Sequence, residues 1–281
     1  MISRMTTKAY RAMDALSASA LKHFMRSPAH YMENRLNPKP PTPAMEFGTL
    51  VHTAVLEPEL CEQLYYCLDD SDIYNELRAK GFEVPRLTKE YKAWKKDKFA
   101  ESQGKIEVKI EDWNAAVHIR KAIQAHPKAS ALLAMGGKVE HVMQWTHPTG
   151  VLMKGRPDLF IHDYHADYGL IVDLKTTDNA SPHSFTRTIA NHSYHIQAGM
   201  YCEGVEIITG KPCRFAWLVV EREAPHVVML YHARGDDIAL AKHIIYGEAR
   251  KFKQCLESGI WHGYDEPEND EIEVPAWAYP E

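Results

Sequence analysis

Two aspartates and a lysine in the middle of the chain have the types and spacing of a hydrolytic centre. Asp158 closes a Gly-Arg-Pro-Asp sequence, and Asp173 lies fifteen positions later, with Lys175 two residues beyond it. The apolar runs Leu159–Ile161 and Leu170–Val172 predict two strands, and pairing them as a hairpin would set Asp158 beside Asp173. Because side chains alternate along a strand, Asp173 and Lys175 project from one face. The pattern thus predicts two carboxylates and an ammonium at one spot.

Such a group can perform metal-assisted hydrolysis. Carboxylates are hard oxygen ligands, which suit magnesium or manganese better than zinc. A metal held there can polarise a phosphoryl oxygen and activate a bound water. Lys175 could orient that water or stabilise charge that develops on the phosphate. By spacing alone, however, an Asp-x-Lys triplet also describes an ion pair on a solvated strand edge, so the rest of the chain must decide.

Length and composition describe an ordinary globular protein. The 281 residues are 45% hydrophobic and 25% charged, enough for one large domain or a core domain with an accessory segment. No apolar run approaches the ~18 residues of a membrane span, and the first five residues lack a signal-peptide core. We therefore expect a soluble, cytoplasmic protein. The five cysteines are odd in number and form no Cys-x-x-Cys pair, which predicts reduced thiols.

The net charge of −5 does not by itself indicate a nucleic-acid partner, but its distribution is uneven. Between Arg86 and Lys128 the chain has 11 Lys and Arg residues against 6 Asp and Glu residues. A local basic face of this kind could contact phosphates, with Lys95 and Lys96 as candidates. A solvated helix surface explains the same charges equally well.

The hydrophobic periodicity predicts an alternation of helices and strands around this centre, and residues 1–16 are expected to be loosely ordered. Predicted helices cover Ala20–Met25, Met45–Glu57, Thr88–Glu101, Glu111–Ala125, Phe185–Ile208 and Asp237–Ser258. Predicted strands cover Val139–Trp145, Val151–Ile161, Leu170–Lys175, Phe215–Val220 and Val227–Tyr231, the first three as antiparallel neighbours.

Several polar residues on these elements have two interpretations. Glu140 could point into the site of Asp158 or lie on a strand surface. His52, within an apolar helix, is more often a core histidine than a metal ligand. Tyr194, Gln197 and Tyr201 share one helix face and could hold a phosphate or base, or the tyrosines could be interfacial core residues.

The ordered set of motifs resembles the PD-(D/E)XK nuclease superfamily, in its RecB-like branch, and is similar above all to the RecE-type exodeoxyribonuclease VIII and phage exonuclease family. The resemblance covers nearly the whole chain, and the combination is more specific than any single motif. The matching stretches are Leu16–Lys22, Phe47–His52, Leu56–Pro58, Gly155–Asp158, Val172–Thr177, Tyr194–Tyr201 and Pro275–Ala278.

This resemblance implies a role for each matching residue. The metal ligands would be Asp158, Asp173, the carbonyl of Leu174 and His52, with Glu140 as a candidate outer ligand. Asp173 stands where many members have Glu. The catalytic set would be Asp158, Asp173, Lys175, Gln197 and Tyr201: Lys175 would position the attacking water, while Gln197 and Tyr201, with Tyr194 as a further DNA contact, would hold the DNA end or the scissile phosphate. The implied cofactor is Mg²⁺, with Mn²⁺ as a substitute. Because histidine is an unusual magnesium ligand, His52 would either favour manganese or act partly through structure.

The implied fold is α/β, a central mixed sheet flanked by helices, with a helical N-terminal region. We expect a single exonuclease domain over 1–281: a helical segment and Pro-rich connector (1–43), a mainly helical region (44–138), the catalytic core (139–264) and an acidic tail (265–281) whose aromatic residues dock onto the body.

The implied activity is metal-dependent degradation of linear double-stranded DNA from the 5′ end, which leaves 3′ overhangs. The implied partners are DNA ends, a single-strand annealing protein and further copies of the chain in a ring, with no membrane. Two alternatives stay open: a DNA-end-binding module without catalysis, and a RecB-like nuclease of CRISPR adaptation, which usually carries a four-cysteine cluster that this sequence lacks.

Overall fold

The computed structural model describes residues 2–265 and 271–279 of the chain. Its helices are α1 Thr7–Ala12, α2 Ala18–Arg26, α3 Pro28–Leu36, α4 Pro43–Leu56, α5 Pro58–Leu64, α6 Ser71–Ala79, α7 Lys89–Glu101, α8 Ile110–Ala125, α9 Pro127–Ala134, α10 Pro182–His192, α11 Tyr194–Thr209 and α12 Gly235–Ser258. Short 3₁₀ turns cover Pro85–Leu87 and Ala276–Ala278.

The strands form three separate sheets. They are β1 Ile2–Arg4, β2 Tyr65–Leu68, β3 Ile106–Lys109, β4 Lys138–Val139, β5 His141–Thr146, β6 Leu152–Gly155, β7 Leu159–Ile161, β8 Gly169–Thr177, β9 Cys213–Glu221 and β10 Val228–His232. The central sheet has the order β10-β9-β8-β7-β4, in which β8 and β9 are parallel and the other pairs antiparallel. A second sheet has the order β1-β5-β6, and β2 pairs with β3. The predicted α/β fold with a mixed sheet is confirmed.

Strand β8 lies at the centre of this sheet because its sequence is apolar on both faces. Leu170, Ile171 and Val172 are each at most 2% exposed, as is typical of a strand that is covered on both sides. One face packs against α2, α11 and α12, and the other packs against α4, α8 and α9. Val172 and Leu174 belong to the second core, so Asp173 and Lys175 project toward the α11 side, as the alternation predicts.

The helices that bear site residues begin and end at local signals in the sequence. The Thr42 hydroxyl accepts a hydrogen bond from the Met45 N–H, and Pro43 occupies the first helical position of α4. Helix α4 ends at Leu56, just before Pro58. The predicted helix over Phe185–Ile208 is two helices, because Ser193 adopts the left-handed conformation (φ 56°) between α10 and α11.

The N-terminal segment Ile2–Leu16 is ordered, which corrects the expectation of a loose segment. Strand β1 pairs with β5, and the Leu16 N–H and C=O bond to the Leu152 C=O and Lys154 N–H. Lys154 is 7% exposed, and its ammonium donates to the carbonyls of Tyr10 and Met13. Pairing with a distant strand and a buried lysine thus fixes a segment whose own sequence is too short to fold alone.

The strand predicted over Val139–Trp145 is divided between two sheets. Glu140 has φ 52° and separates β4, in the central sheet, from β5, in the second. Likewise β6 belongs to the second sheet and β7 to the central one. The antiparallel pairing of the three predicted strands is confirmed by the β5–β6 and β7–β8 pairs, but the strands predicted over Val139–Trp145 and Val151–Ile161 are each divided between two sheets.

The remaining expectations are settled in part. Within the described residues no helix is long and apolar enough to cross a membrane. All five cysteines are free, and four are buried. The predicted acidic tail lies partly outside the described residues, at 266–270 and 280–281, and Trp277 is 86% exposed, so the expected docking of its aromatic residues is wrong for that side chain.

Candidate active site

The two aspartates meet through the strand pairing that the sequence predicts. Leu159 lies opposite Val172 in the β7–β8 ladder, so the register carried one residue further sets Asp158 opposite Asp173. The Asp158 Oδ2 accepts a 2.7 Å hydrogen bond from the Leu174 N–H. Both carboxylates are buried, at 8% and 1% exposed. Charged groups are held at such burial only with partners that compensate for their lost hydration.

Each carboxylate oxygen of Asp173 has a polar side chain close to it. Its Oδ1 accepts a 2.9 Å hydrogen bond from the Gln197 amide on α11, and the Lys175 ammonium lies 2.6 Å from its Oδ2. That ion pair lacks hydrogen-bond alignment, and Oδ2 has no hydrogen-bond partner. A buried carboxylate oxygen with no donor aligned on it is suited to accept a cation as ligand.

His52 reaches the same centre from the opposite face of the sheet, on α4. Its Nε2 lies 2.8 Å from the Leu174 carbonyl, and its Nδ1 lies 3.3 Å from the Asp158 Oδ1. It is not the isolated core histidine that an apolar helix alone would suggest. Its imidazole contacts both the carbonyl and the carboxylate that the resemblance names as ligands.

Glu140 is a further carboxylate close to Asp158. Ligand atoms of His52, Glu140 and Asp158 all lie within 4.8 Å of one another. The Arg156 Nε lies 2.9 Å from the Glu140 Oε2, so this carboxylate has a permanent counter-ion. The position between β4 and β5, with its left-handed backbone, directs Glu140 into the site rather than along a regular strand face.

The carboxyl groups have different proton affinities. Burial raises the pKa of Glu140 to about 7, and Asp158 adds to the effect. Burial likewise raises the pKa of Asp173 to about 6, although the Lys175 charge opposes it. Burial would also raise the pKa of Asp158, but His52 and Lys175 outweigh it and lower this pKa. Asp158 is therefore the most acidic carboxyl group of the three.

The two basic groups have raised pKa values for the reciprocal reason. Burial would lower the pKa of Lys175, but the charges of Asp173 and Asp158 outweigh it, so the ammonium stays protonated. For His52, too, burial favours the neutral form, and the Asp158 carboxylate outweighs it. The Lys175 ammonium is therefore a potential hydrogen-bond donor that does not act as a base at neutral pH.

These residues fit a divalent cation. Adjacent ligands in an octahedral shell of about 2.1 Å radius lie about 3 Å apart, close to the 2.8 Å between His52 Nε2 and the Leu174 carbonyl. Asp158 is near both the His52–Glu140 group and Asp173, so it could contribute to either. An oxygen-rich set with one imidazole suits Mg²⁺ or Mn²⁺.

The α11 residues predicted to contact DNA have unequal access to the site. The Lys175 ammonium lies 4.6 Å from the centre of the Tyr194 ring, which therefore covers it. Gln197 is bound to Asp173, as described above. Tyr201 is only 7% exposed and packs behind the turn at Gly155, where an added Cβ would lie 2.8 Å from its ring. Its DNA contact stays a prediction.

Lys95 and Lys96 lie on α7. The Lys95 ammonium lies 2.7 Å from a Glu107 carboxylate oxygen, and Lys96 is exposed. Their predicted DNA contact likewise stays a prediction.

Sequence reasoning missed Arg156, Thr7 and Tyr10. Arg156 was available in the Gly155-Arg-Pro-Asp158 motif, where an arginine two residues before a buried aspartate is a candidate for the same site. Thr7 and Tyr10 carry no local signal, because only the long-range pairing of the N-terminal segment brings them to Arg156.

The paired carboxylates, the lysine two residues after the second and the mixed sheet that carries them define a PD-(D/E)XK nuclease. The chain belongs to the family described as a PDDEXK-like domain of unknown function (DUF3799), whose model matches residues 17–268. Proteins of this class use divalent metals, in keeping with the ligand set above.

A solved structure shows the same fold. The chain is similar to a protein from Eubacterium rectale described as a "putative exonuclease", with 15% identity, a TM-score of 0.60 and coverage of 97% of this chain and 96% of that one. A second structure, that of SSO0001, is 13% identical over 71% of this chain and 85% of that one, but its TM-score of 0.26 carries no argument. No curated protein matches the chain.

Proposed function

We propose that the chain is a divalent-metal-dependent exonuclease that degrades linear double-stranded DNA from the 5′ end and leaves 3′ overhangs. The observation that carries the proposal is the placement of Asp158 opposite Asp173 with the Lys175 ammonium 2.6 Å from the latter. The description of the Eubacterium rectale protein favours an exonuclease over other nucleases. The 5′ polarity rests on the resemblance to RecE-type enzymes.

Each residue has a part in this reaction. The metal, Mg²⁺ or Mn²⁺, would be held by Asp158, Asp173, His52 and the Leu174 carbonyl, and it supplies Lewis-acid activation of water and phosphate. Gln197 orients Asp173 through its 2.9 Å hydrogen bond. Lys175 stays protonated and donates hydrogen bonds to the attacking water or the phosphate oxygens.

The resemblance also supports two partners and an assembly. We propose that the 3′ overhangs pass to a single-strand annealing protein and that copies of the chain form a ring around DNA. A ring would confine basic charge to its channel, which is compatible with the net charge of −5. Light scattering coupled to size-exclusion chromatography tests the ring, and a monomeric mass at working concentration would contradict it.

The activity is tested on linear duplex DNA labelled separately at each end, with Mg²⁺. Wild type should release the 5′ label first. Asp173→Asn should lower the rate at least about 10²-fold, the scale of a single electrostatic group in a transition state. Asp178→Asn, an exposed aspartate just after β8, is the matched control and should keep the rate.

The same assay separates the alternatives. Tight binding to DNA ends without degradation would favour a DNA-end-binding module. Cleavage of closed circular DNA would instead show an endonuclease. Degradation that starts from the 3′ label would keep the exonuclease and overturn its polarity.

A further inference from the structure

Arg156 connects the active site to the N-terminal segment through three contacts of its guanidinium. Its Nε lies 2.9 Å from the Glu140 carboxylate. Its Nη1 donates a 2.9 Å hydrogen bond to the Thr7 hydroxyl on α1. Its Cζ lies 5.2 Å from the centre of the Tyr10 ring, within cation–π range.

The N-terminal segment beside this arginine is held in place by hydrogen bonds. Both β1 and Leu16 are held by neighbouring strands, and the buried Lys154 ammonium binds the carbonyls of Tyr10 and Met13. Lys154 also lies 4.8 Å from the centre of the Tyr10 ring. Because the backbone of this segment is held in this way, Thr7 and Tyr10 restrict the position of the Arg156 guanidinium. A restricted position favours precise recognition of a ligand.

Charge explains what that ligand would be. Glu140, Asp158 and Asp173 converge in the site, and a phosphate would be repelled there unless cations offset them. Among the described residues, two permanent cations form ion pairs with them: Lys175 with Asp173, and Arg156 with Glu140. They therefore bind the two outer members of the carboxylate set.

The guanidinium also retains donors for a ligand. Of its five N–H groups, one faces Glu140 and one binds Thr7. Among the described residues no acceptor is hydrogen-bonded to Nη2, and the side chain is 25% exposed, so it is open to solvent. Two parallel N–H donors match the spacing of phosphate oxygens.

We propose that Arg156, aimed by Thr7 and Tyr10 of the N-terminal segment, binds a backbone phosphate of the DNA strand that is cut. The inference rests on the proposed function. It adds to the site two residues that precede the family match, which begins at residue 17. Thr7 and Tyr10 are positioning residues, since they act through the guanidinium. Segment 2–16 has three basic residues and one acidic residue, a balance that suits a surface facing DNA.

The test is DNA binding, measured by fluorescence anisotropy on a labelled duplex end with Ca²⁺ in place of Mg²⁺, from 50 to 200 mM KCl. Arg156→Gln should weaken the Kd about tenfold and reduce the slope of log Kd against log salt by about 0.9, the loss of one phosphate contact. Arg156→Lys should keep the slope. Arg35→Gln, which removes an equal charge from an ion pair with Asp14 on the same segment, should change neither quantity.

Thr7→Val separates positioning from general loosening of the fold. Thr7 is exposed, so this variant is expected to fold, and it should weaken the Kd about threefold, the effect of one hydrogen bond. In the Arg156→Gln background it should have no further effect, because its only route to DNA is the guanidinium.

An Arg156→Gln protein with wild-type Kd and salt slope would overturn the inference. Additive effects of Thr7→Val and Arg156→Gln would overturn the positioning role. If wild type cleaves DNA in Mg²⁺ in either case, the proposed function stands without this inference. A wild type that neither binds nor cleaves DNA would overturn both.

Discussion

Protons occupy part of the active site whenever a metal does not. Burial raises the pKa of Glu140 to about 7 and that of Asp173 to about 6, and the pKa of His52 is raised by its carboxylate neighbours despite its burial. A carboxyl group or imidazole must lose its proton before it binds a metal. Protons and metal ions therefore compete for the same three side chains.

Metal affinity should accordingly fall as the pH is lowered from 8 to 6. A raised carboxyl pKa means that the protonated form grows as the pH drops through 7 and then 6, with a loss of up to about tenfold in affinity per pH unit for each proton displaced. Calorimetric titration with Mn²⁺ at pH 8, 7 and 6 measures this. Glu140→Gln removes one titrating group and should flatten the dependence, whereas a pH-independent wild-type affinity would contradict the prediction.

Tyr201 is buried behind the stretch of chain that carries two site residues. Burial raises the pKa of its hydroxyl, the Arg156 backbone opposes that shift, and its ring occupies the space that Gly155 leaves open. The side chain thus supports the turn that carries both Arg156 and Asp158.

Tyr201→Phe should lower the free energy of unfolding by about 1 kcal/mol, because the Arg156 backbone loses the buried hydroxyl that interacts with it, and should leave the Kd for DNA unchanged. Urea unfolding and the anisotropy assay measure the two quantities. Tyr231→Phe, which removes a 2.7 Å hydrogen bond to the Ala180 carbonyl, is a control for stability alone. Weaker DNA binding by Tyr201→Phe at unchanged stability would restore the direct contact that the sequence predicts.

Helix α11 is the element that connects the site to the larger core. It carries Tyr194 and Gln197 at its first turns and approaches α12 so closely that a Cβ at Gly199 would lie 2.6 Å from the Ala241 Cβ. A Cβ at Gly204 would lie 2.9 Å from the Trp145 ring. The two glycines therefore set the distance of α11 from its neighbours.

Gly199→Ala should destabilise the protein by about 1–3 kcal/mol, because overpacking outweighs the better helix propensity of alanine. Gly247→Ala is the matched control: Gly247 lies inside α12 with no atom within 4 Å of an added Cβ. That change should be neutral or should stabilise by up to about 1 kcal/mol. Urea unfolding compares the two, and an equal effect of both substitutions would contradict the close packing.

The elements also show which parts of the fold can be predicted from sequence. The helices around His52 and the β7–β8 hairpin follow from local periodicity, so the positions of Asp158, Asp173 and Lys175 were accessible. The break at Glu140 was not, because its left-handed backbone is imposed by strands of two different sheets. The contact of Thr7 with Arg156 was also inaccessible, since it joins residues 149 positions apart.

At the scale of the whole molecule, the site lies where several elements of the fold meet. Helix α4 brings His52 from one face of the central sheet, α11 brings Gln197 from the other, and the second sheet brings Arg156 toward Glu140. The pKa values of Glu140 and Asp173 are raised despite their ion pairs, so the charged forms of these two carboxylates oppose folding when no metal is bound. A ligand that binds only the assembled site should therefore stabilise the entire fold.

We expect a divalent metal at 100 times its Kd to stabilise the folded chain by about 2.7 kcal/mol, because the unfolded chain lacks the assembled site. The Tm should rise by on the order of 5 °C when Mg²⁺ or Mn²⁺ replaces a chelator. Differential scanning calorimetry measures this shift without any cleavage. Asp158→Asn, which removes the carboxylate that contacts His52, should lose most of the shift, while Asp178→Asn should keep it. The remaining ligands lie on three separate elements and could not bind the metal as tightly without Asp158 between them. An undiminished shift in Asp158→Asn would therefore place the metal elsewhere.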